Sequence, residues 1–356
     1  MRKILLLGGT GAMGKHLAQI LDEQGDEVYI TSRQTHLNED RKKYIHGNAR
    51  DIEFLRIVLK LQEWDAIVDF MVYTTAEFSG RVHLLLNATR QYLFLSSSRV
   101  YADSNGALIK EDSPRLLDTI TDNEYLQTDE YALTKARQED ILQNSSQSNW
   151  TIIRPYITYS ENRLQLGTLE KELWLKRALR GNSIVFCEEM LQKKTTLTYG
   201  YNVASAIAAL MCNPLALGEA FHITQDLDLS WQEVLNIYLD TFVQSGMTPP
   251  RLVMVDLKTF HQIYYYGKYQ VNYDRMYDRV FDTSKIKQFI DTQNFINPEV
   301  GLRHCLTAII QSRDFQHEDY LISVRMDKVA HETRPLREFS SIKTKAKYLI
   351  RRYILK

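Results

Sequence analysis

Lys3-Ile4-Leu5-Leu6-Leu7-Gly8-Gly9-Thr10-Gly11-Ala12-Met13-Gly14 decides how the rest of the chain is read. The run Ile4 to Leu7 predicts a short buried strand, and the glycine-rich turn follows at once. Lys15 to Gln24 predicts a helix with Leu17, Ile20 and Leu21 turned inward. A strand, a glycine turn and a helix in this order give a weak glycine pattern the context of a dinucleotide site. Gly8 permits the tight turn. Gly11, without a Cβ, lets backbone approach a pyrophosphate, and Gly14 lets the helix pack closely on the strand. Thr10, Ala12 and Met13 complete the loop, and the helix N-terminus offers N–H groups and partial positive charge to phosphate.

Further along, Glu27 to Ile30 predicts a second strand, and Thr31-Ser32-Arg33 follows it. Dinucleotide folds place a ribose-reading residue there, commonly an acid that holds the 2′-hydroxyl. With no carboxylate, and with a guanidinium beside a hydroxyl, Ser32 and Arg33 suit a 2′-phosphate, which favours NADP over NAD. The bland alternative is a solvated Arg33 with NAD bound without the acid. Strands are predicted at Tyr44–Asn48, Asp65–Val72 and Gln91–Ser96. Helices are predicted at Asp51–Leu61 and about Phe78–Leu86. This alternation implies an α/β fold, a Rossmann-type doubly wound parallel sheet covered on both faces.

Two more signals follow in order. Ser96, Ser97 and Ser98 end the fifth strand, where open α/β sheets bind their ligands. A helix from about Asp129 to Leu142, with Ala132, Ala136 and Ile141 inward, carries Tyr131 and Lys135 one turn apart on one face. An ammonium beside a phenol lowers the phenol's pKa from about 10 toward neutrality, so the phenol can exchange a proton with a sugar hydroxyl or ketone.

With these residues in place, the chain resembles the extended short-chain dehydrogenase/reductases of the NAD(P)-dependent nucleotide-sugar epimerase/dehydratase group. The pieces are Gly8-x-x-Gly11-x-x-Gly14, Ser96-Ser97-x-x-Val100-Tyr101, Tyr131-x-x-x-Lys135 and Ile153-Arg154-Pro155-x-x-x-Tyr159. Thr198 to Ala204, Gly218 to Thr224 and Asp282 to Lys285 match more loosely, so the likeness runs over residues 1–325. It implies Tyr131 as acid/base, Lys135 as its partner and a holder of the nicotinamide ribose, and Ser97 as the third catalytic member, with Ser98 the runner-up. It implies hydride transfer at a sugar carbon, usually C4.

The departures from the family pattern also carry meaning. Ser97-Ser98-Arg99 stands where the dehydratases carry Thr-Asp-Glu, and this argues against dehydration. Thr128-Asp129-Glu130 has those letters but starts the tyrosine helix. Asn48 replaces an adenine-binding aspartate and keeps hydrogen-bonding ability, as does Asn202 at another aspartate position. The fourth strand ends Asp69-Phe70-Met71 instead of His-x-Ala. The short following helix leaves the family's usual homodimer, and so the oligomeric state, open.

The resemblance divides the chain into a dinucleotide domain (1–158 and 195–225), a smaller α/β substrate domain (159–194 and 226–325) and a basic tail (326–356). A helix is predicted at Leu169–Arg180. Lys193, Lys194, Arg275 and Arg279 are candidate cations for the substrate's diphosphate, each with a solvated-surface alternative. Tyr264 to Tyr269 either lines a sugar pocket or fills the core. Ser341 to Lys356 carries six cations, with no acid after Glu338. Its Ile342, Ala346, Leu349, Ile350, Tyr353 and Ile354 share one helical face. Such a helix lies on an anionic membrane surface or docks on its own core or a partner.

Across 356 residues, 44 basic side chains balance 44 acidic ones, which argues against nucleic acid as a partner of the whole chain. Cys187, Cys212 and Cys305 stand far apart in no metal spacing and read as buried, reduced thiols. No stretch has the plan of a signal peptide or a membrane span, and the expected location is the cytoplasm, with peripheral contact at the membrane's inner face as one option. The residues alone predict a dinucleotide-binding oxidoreductase; the resemblance implies an epimerase of a nucleotide-activated sugar, in the making of glycan precursors. The alternatives are an NADPH-dependent ketoreductase of a keto-sugar nucleotide and a non-catalytic NAD(P)-binding regulator or scaffold.

Overall fold

The structure, a computed structural model, describes residues 1–335, 339 and 341–354. Its first strand, β1 (Lys3–Leu7), is apolar at every position from Ile4 because both of its faces are covered. Ile4 and Leu6 join one core cluster with Leu17, Leu21, Val203 and Ile207. Leu5 and Leu7 join another on the opposite face with Leu55, Val58, Phe78 and Leu142. Helix α1 (Gly14–Glu23) follows the glycine turn, then β2 (Glu27–Ser32), β3 (Lys42–His46), α2 (Ile52–Leu59) and β4 (Trp64–Asp69). The chain continues through α3 (Thr75–Ser79), α4 (Val82–Asn87), β5 (Thr89–Leu95), α5 (Tyr131–Gln143) and β6 (Trp150–Pro155). It later returns with α6 (Gly200–Leu210) and β7 (Glu219–Ile223).

These strands form one seven-stranded sheet in the order β7-β6-β5-β4-β1-β2-β3, parallel throughout. The order reverses at β1, so β1 and β4 diverge beside the glycine turn, the switch point where such sheets bind ligands. The predicted Rossmann-type α/β sheet is therefore what the chain folds into.

Two packing units divide the chain. The first is Met1–Asn162, Thr196–Asp228 and Asp278–Gly301; the second is Arg163–Thr195, Leu229–Tyr277 and Leu302–Lys356. Asp278–Gly301, expected with the substrate domain, packs with the sheet instead. Ile109 bridges Phe281, and Ile286 and Phe295 enter the sheet's core. In the second unit, a parallel pair, Ile184–Cys187 with Leu252–Val255, accompanies helices α7 (Trp231–Gln244), α8 (Leu257–Ile263), α9 (Tyr320–Val329) and α10 (Ile342–Leu349). The helix expected at Leu169–Arg180 shrinks to Leu175–Ala178. Gly167, at φ +58, instead turns Gln165–Leu166 back on Leu169–Glu170 as a hairpin. Cys187 and Cys305 are buried, but Cys212 is exposed, contrary to the expectation for all three thiols. Among the described residues, no helix is long and apolar enough to cross a membrane.

Candidate active site

The glycine turn is shaped by what each added Cβ would meet. Gly8 has φ +71, and its N–H donates to Thr31 Oγ1 at 2.9 Å, tying the turn to β2. A Cβ on Gly14 would stand 2.5 Å from the Gly9 carbonyl oxygen, so α1 lies against the turn only because that atom is missing. A Cβ on Gly200 would meet the Ala12 carbonyl oxygen at 2.5 Å, so α6 closes on the loop by the same device. Around Gly11 nothing lies within 4 Å of the Cβ position. Gly11 is the exposed member of the turn, open to a ligand's approach. Met13 caps α1 without a side-chain bond, and within the first turn Lys15 N donates to the Gly11 carbonyl at 3.2 Å.

A cavity of about 560 Å³ opens beside the turn, lined by Gly8, Thr10, Ser32, Arg33, Asn48 and Arg50 among others. Five of these were predicted; Arg50 was not. Ser32 Oγ accepts from Gln34 N at 3.1 Å and lies 3.0 Å from His36 Nε2. Arg33 is exposed and, among the described residues, makes no ion pair, whereas Arg50 is held by Glu77 at 2.8 Å. Asn48 Oδ1 accepts from Arg50 N at 3.1 Å. Open space at Gly11, a helix start without a side-chain cap and a cation-bearing cavity together fit the phosphates and ribose of a dinucleotide.

The three serines after β5 separate by their partners. Ser96 Oγ donates to buried Glu139 at 2.6 Å, and Ser98 Oγ donates to the Arg154 carbonyl at 2.8 Å. Both hydroxyls are committed to structure, Ser98 fully buried. Among the described residues, Ser97 Oγ only accepts, from Arg99 N at 3.2 Å, so its proton stays available to a bound oxygen. The turn that follows, Ser98–Val100, packs on α5.

On α5, Lys135 is buried, and its Nζ donates to the Leu95 carbonyl at 2.7 Å. Nζ lies 5.9 Å from the Tyr131 ring centroid and 4.6 Å from that of Phe94. Lys135, Tyr131 and the strand end bearing Ser97 are thus brought together at β5. Burial pushes the Lys135 ammonium down to about 8, and the Asp69 and Glu139 carboxylates work against it. Asp69 ends β4 directly across from Phe94, buried, and accepts from Tyr92 Oη at 2.8 Å and Tyr73 Oη at 3.4 Å. Burial raises the Asp69 carboxyl in turn.

Sequence reasoning passed over Asp69's role although the departure from His-x-Ala was visible. It also missed Arg99, whose guanidinium sits 5.4 Å from the Tyr131 ring centroid and bonds Glu130 at 2.6 Å. Glu130 itself caps α5, accepting from Ala132 N at 2.8 Å. Glu139, one turn beyond Lys135, receives both Arg154 Nε and Nη2 at 2.8 Å. That spacing was legible but carried no apolar signal.

The remaining candidates fall elsewhere. In the second unit Lys194 is exposed and Lys193 half-buried, while Arg275 is buried, paired with Asp274 and bonded to the Gly167 carbonyl at 3.0 Å. Arg279, in the first unit, is buried and donates to the Ala102 carbonyl at 3.1 Å. These bonds give Arg275 and Arg279 structural work, and Lys193 and Lys194 keep the exposure a diphosphate contact needs. Tyr264 is core, whereas Tyr265 and Tyr266 are exposed. Asn202 is buried, its amide bonding the Ile296 backbone at 3.2 and 3.4 Å.

The model of the NAD dependent epimerase/dehydratase family matches residues 4–223. The chain belongs to that family. The match runs from the first residues of β1 to the end of β7 and so takes in the whole sheet, the glycine turn and the Ser97–Tyr131–Lys135 region. Among curated relatives, the chain is 26% identical over 238 residues to the chloroplast stem-loop binding protein of 41 kDa b of Arabidopsis thaliana, covering 63% of this chain and 58% of that protein. It is 25% identical over 134 residues to a UDP-glucose 4-epimerase of Lacticaseibacillus casei, covering 32% and 40%. The chain thus spans 58% or less of the curated relatives it matches. Among solved structures, the UDP-glucuronic acid 4-epimerase of Bacillus cereus, in complex with UDP-glucuronic acid and NAD, superposes with a TM-score of 0.65 at 16% identity, over 87% of this chain and 99% of that one. At that identity the likeness is one of fold.

Proposed function

We propose that the protein is a nicotinamide-dependent epimerase of a nucleotide-activated sugar, acting at a ring hydroxyl, C4 in the resemblance, with Tyr131 as proton carrier. One observation carries the proposal. A phenol, a buried ammonium fixed on a strand-end carbonyl and a serine hydroxyl with an uncommitted proton meet at the C-terminal end of β5. When bound, the nicotinamide supplies the hydride acceptor and donor. Tyr131 takes the proton of the sugar hydroxyl as the carbon is oxidised and returns it on reduction. Lys135 favours the phenolate. Ser97 donates to the reacting oxygen and stabilises charge developing there.

The cofactor preferred in this proposal is NADP, on the strength of Ser32 and of Arg33, which among the described residues makes no ion pair. The same residues support the ketoreductase alternative. The deciding experiment incubates purified protein with NAD or NADPH and a panel of nucleoside-diphosphate sugars and keto-sugars. An epimerase interconverts two sugars with no net cofactor turnover, and a reductase consumes NADPH in proportion to product. Tyr131→Phe is expected to lower turnover by about 10²–10⁴-fold with dinucleotide binding retained. Unchanged turnover would remove Tyr131 from the chemistry.

A second reading rests on the match to the stem-loop binding protein, the longer of the two curated matches. It predicts retention of a structured RNA in a filter-binding assay, steeply weakened by salt. The balanced charge of the chain weighs against it.

A further inference from the structure

The C-terminal helix docks by the face that the sequence pattern does not favour. Ser341 caps α10, accepting from Thr344 N at 3.2 Å, and the helix runs on through a turn at Ile350–Ile354. Its anchor is Tyr348, 1% exposed, whose hydroxyl donates to Asp327 Oδ2 at 2.8 Å and accepts from Arg334 N at 2.7 Å. One turn on, Arg352 Nε donates to the Glu332 carbonyl at 2.8 Å. Tyr348 and Arg352 lie opposite the apolar stripe, so the stripe is turned to water. Ile342 is 83% exposed and Ile354 72%, with Leu349, Ile350 and Tyr353 exposed between them.

Lys343, Lys345, Lys347 and Arg351 flank this stripe, and among the described residues none of them makes an ion pair. No acid follows Glu338 in the chain. Beside the helix, within the same unit, a cavity of about 780 Å³ is lined by Ile263, Val324, Arg325, Lys328, His331 and Arg351, with other residues none of which is acidic. Arg351 belongs to both features, so the cationic cavity adjoins the exposed stripe.

We propose that this face docks on an anionic lipid bilayer, the apolar stripe entering the headgroup boundary, the flanking cations meeting lipid phosphates and the cavity receiving one headgroup. Charge complementarity selects the occupant. A stripe of aliphatic and aromatic side chains flanked by Lys343, Lys345, Lys347 and Arg351 matches an anionic, apolar-backed surface, and a second copy would set cation against cation. The inference is independent of the catalytic proposal and stands or falls without it.

The test is flotation of the full-length protein with vesicles of phosphatidylcholine containing about 30 mol% phosphatidylglycerol, against pure phosphatidylcholine, at low and high salt. The expected result is flotation with the anionic vesicles alone, lost at high salt. Ile350→Asp with Ile354→Asp should abolish it, and each of Lys343→Glu and Lys347→Glu should weaken it at least about fivefold. Circular dichroism and dinucleotide binding should stay unchanged in all of these variants. Absence of flotation, or equal flotation of the variants, overturns the proposal. So does a dimer in light scattering that the Ile350→Asp and Ile354→Asp pair dissociates, because the stripe's occupant would then be a second copy.

Discussion

Lys135 is held by two opposing effects, and their balance is open to measurement. Burial favours the neutral amine, while Asp69 and Glu139 favour the ammonium. Neutralising Asp69 removes one support, so Asp69→Asn should move the alkaline limb of the kcat/KM pH profile to lower pH. Activity would then fall further at pH 8 than at pH 6.5. The groups facing this pair are Tyr73 and Tyr92 on Asp69, and Tyr131 and Glu139 along α5. An alkaline limb that stays in place would reduce Asp69 to a hydrogen-bond partner of the two tyrosines. In the cavity beside the glycine turn, Arg33 makes no ion pair among the described residues, whereas Arg50 is held by Glu77. Arg33→Ala should weaken NADP binding by about 10–100-fold while leaving NAD nearly unaffected, the size expected for one charge-assisted contact. Dissociation constants for both dinucleotides, measured by fluorescence titration, check this.

The glycine turn gives a contrast within a single element. Gly14→Ala puts a methyl 2.5 Å from backbone that cannot move aside cheaply, and should destabilise the chain by about 1–3 kcal/mol without ligand. Gly11→Ala meets nothing within 4 Å, so urea unfolding of the ligand-free protein should shift by no more than about 0.5 kcal/mol while dinucleotide affinity falls. Equal losses of stability in the two variants would contradict the assigned roles. This turn was legible because its chemistry is local: glycine spacing, a preceding apolar strand and a following amphipathic helix are adjacent in the chain. α5 was legible only in part. Its buried side includes Thr134, Lys135, Gln138 and Glu139, so apolar periodicity could not say which way it faced. The role of Asp69 was hidden for another reason. Its partners Tyr73 and Tyr92 reach it through the pairing of β4 with β5, which no spacing in the sequence announces. The basic tail shows the opposite failure, a clear apolar stripe that the fold leaves unburied while Tyr348 makes the contact.

Over the whole molecule, the join between β7 and Asp278–Gly301 carries a pH signature. His222 on β7 is fully buried; its Nε2 lies 2.6 Å from the Asp282 carbonyl and so donates, which leaves Nδ1 to face Tyr101 Oη at 3.3 Å. Burial pushes the imidazole down to about 4, and the Asp282 carbonyl opposes that shift. In the unfolded chain His222 takes its proton near pH 6.5, so the stability it contributes is present above that pH and is lost as pH falls toward about 4. The full loss is about 3 kcal/mol. Glu111, next to His222 and raised by burial, acts in the opposite sense. His222→Gln should therefore flatten the fall of the urea midpoint between pH 6.5 and pH 4; an unaltered slope would place the acid sensitivity elsewhere. The strand order has its own consequence for making the protein. β6 is the sixth strand in the chain, and its outer edge is paired by β7, which begins only at Glu219. A ribosome that has released residues 1–162 has exposed the outer edge of β6, with a bare row of amide and carbonyl groups. Until β7 arrives that edge can recruit another nascent chain, so a product truncated before Glu219 should accumulate as aggregate, and forms that include β7 should not aggregate through this edge.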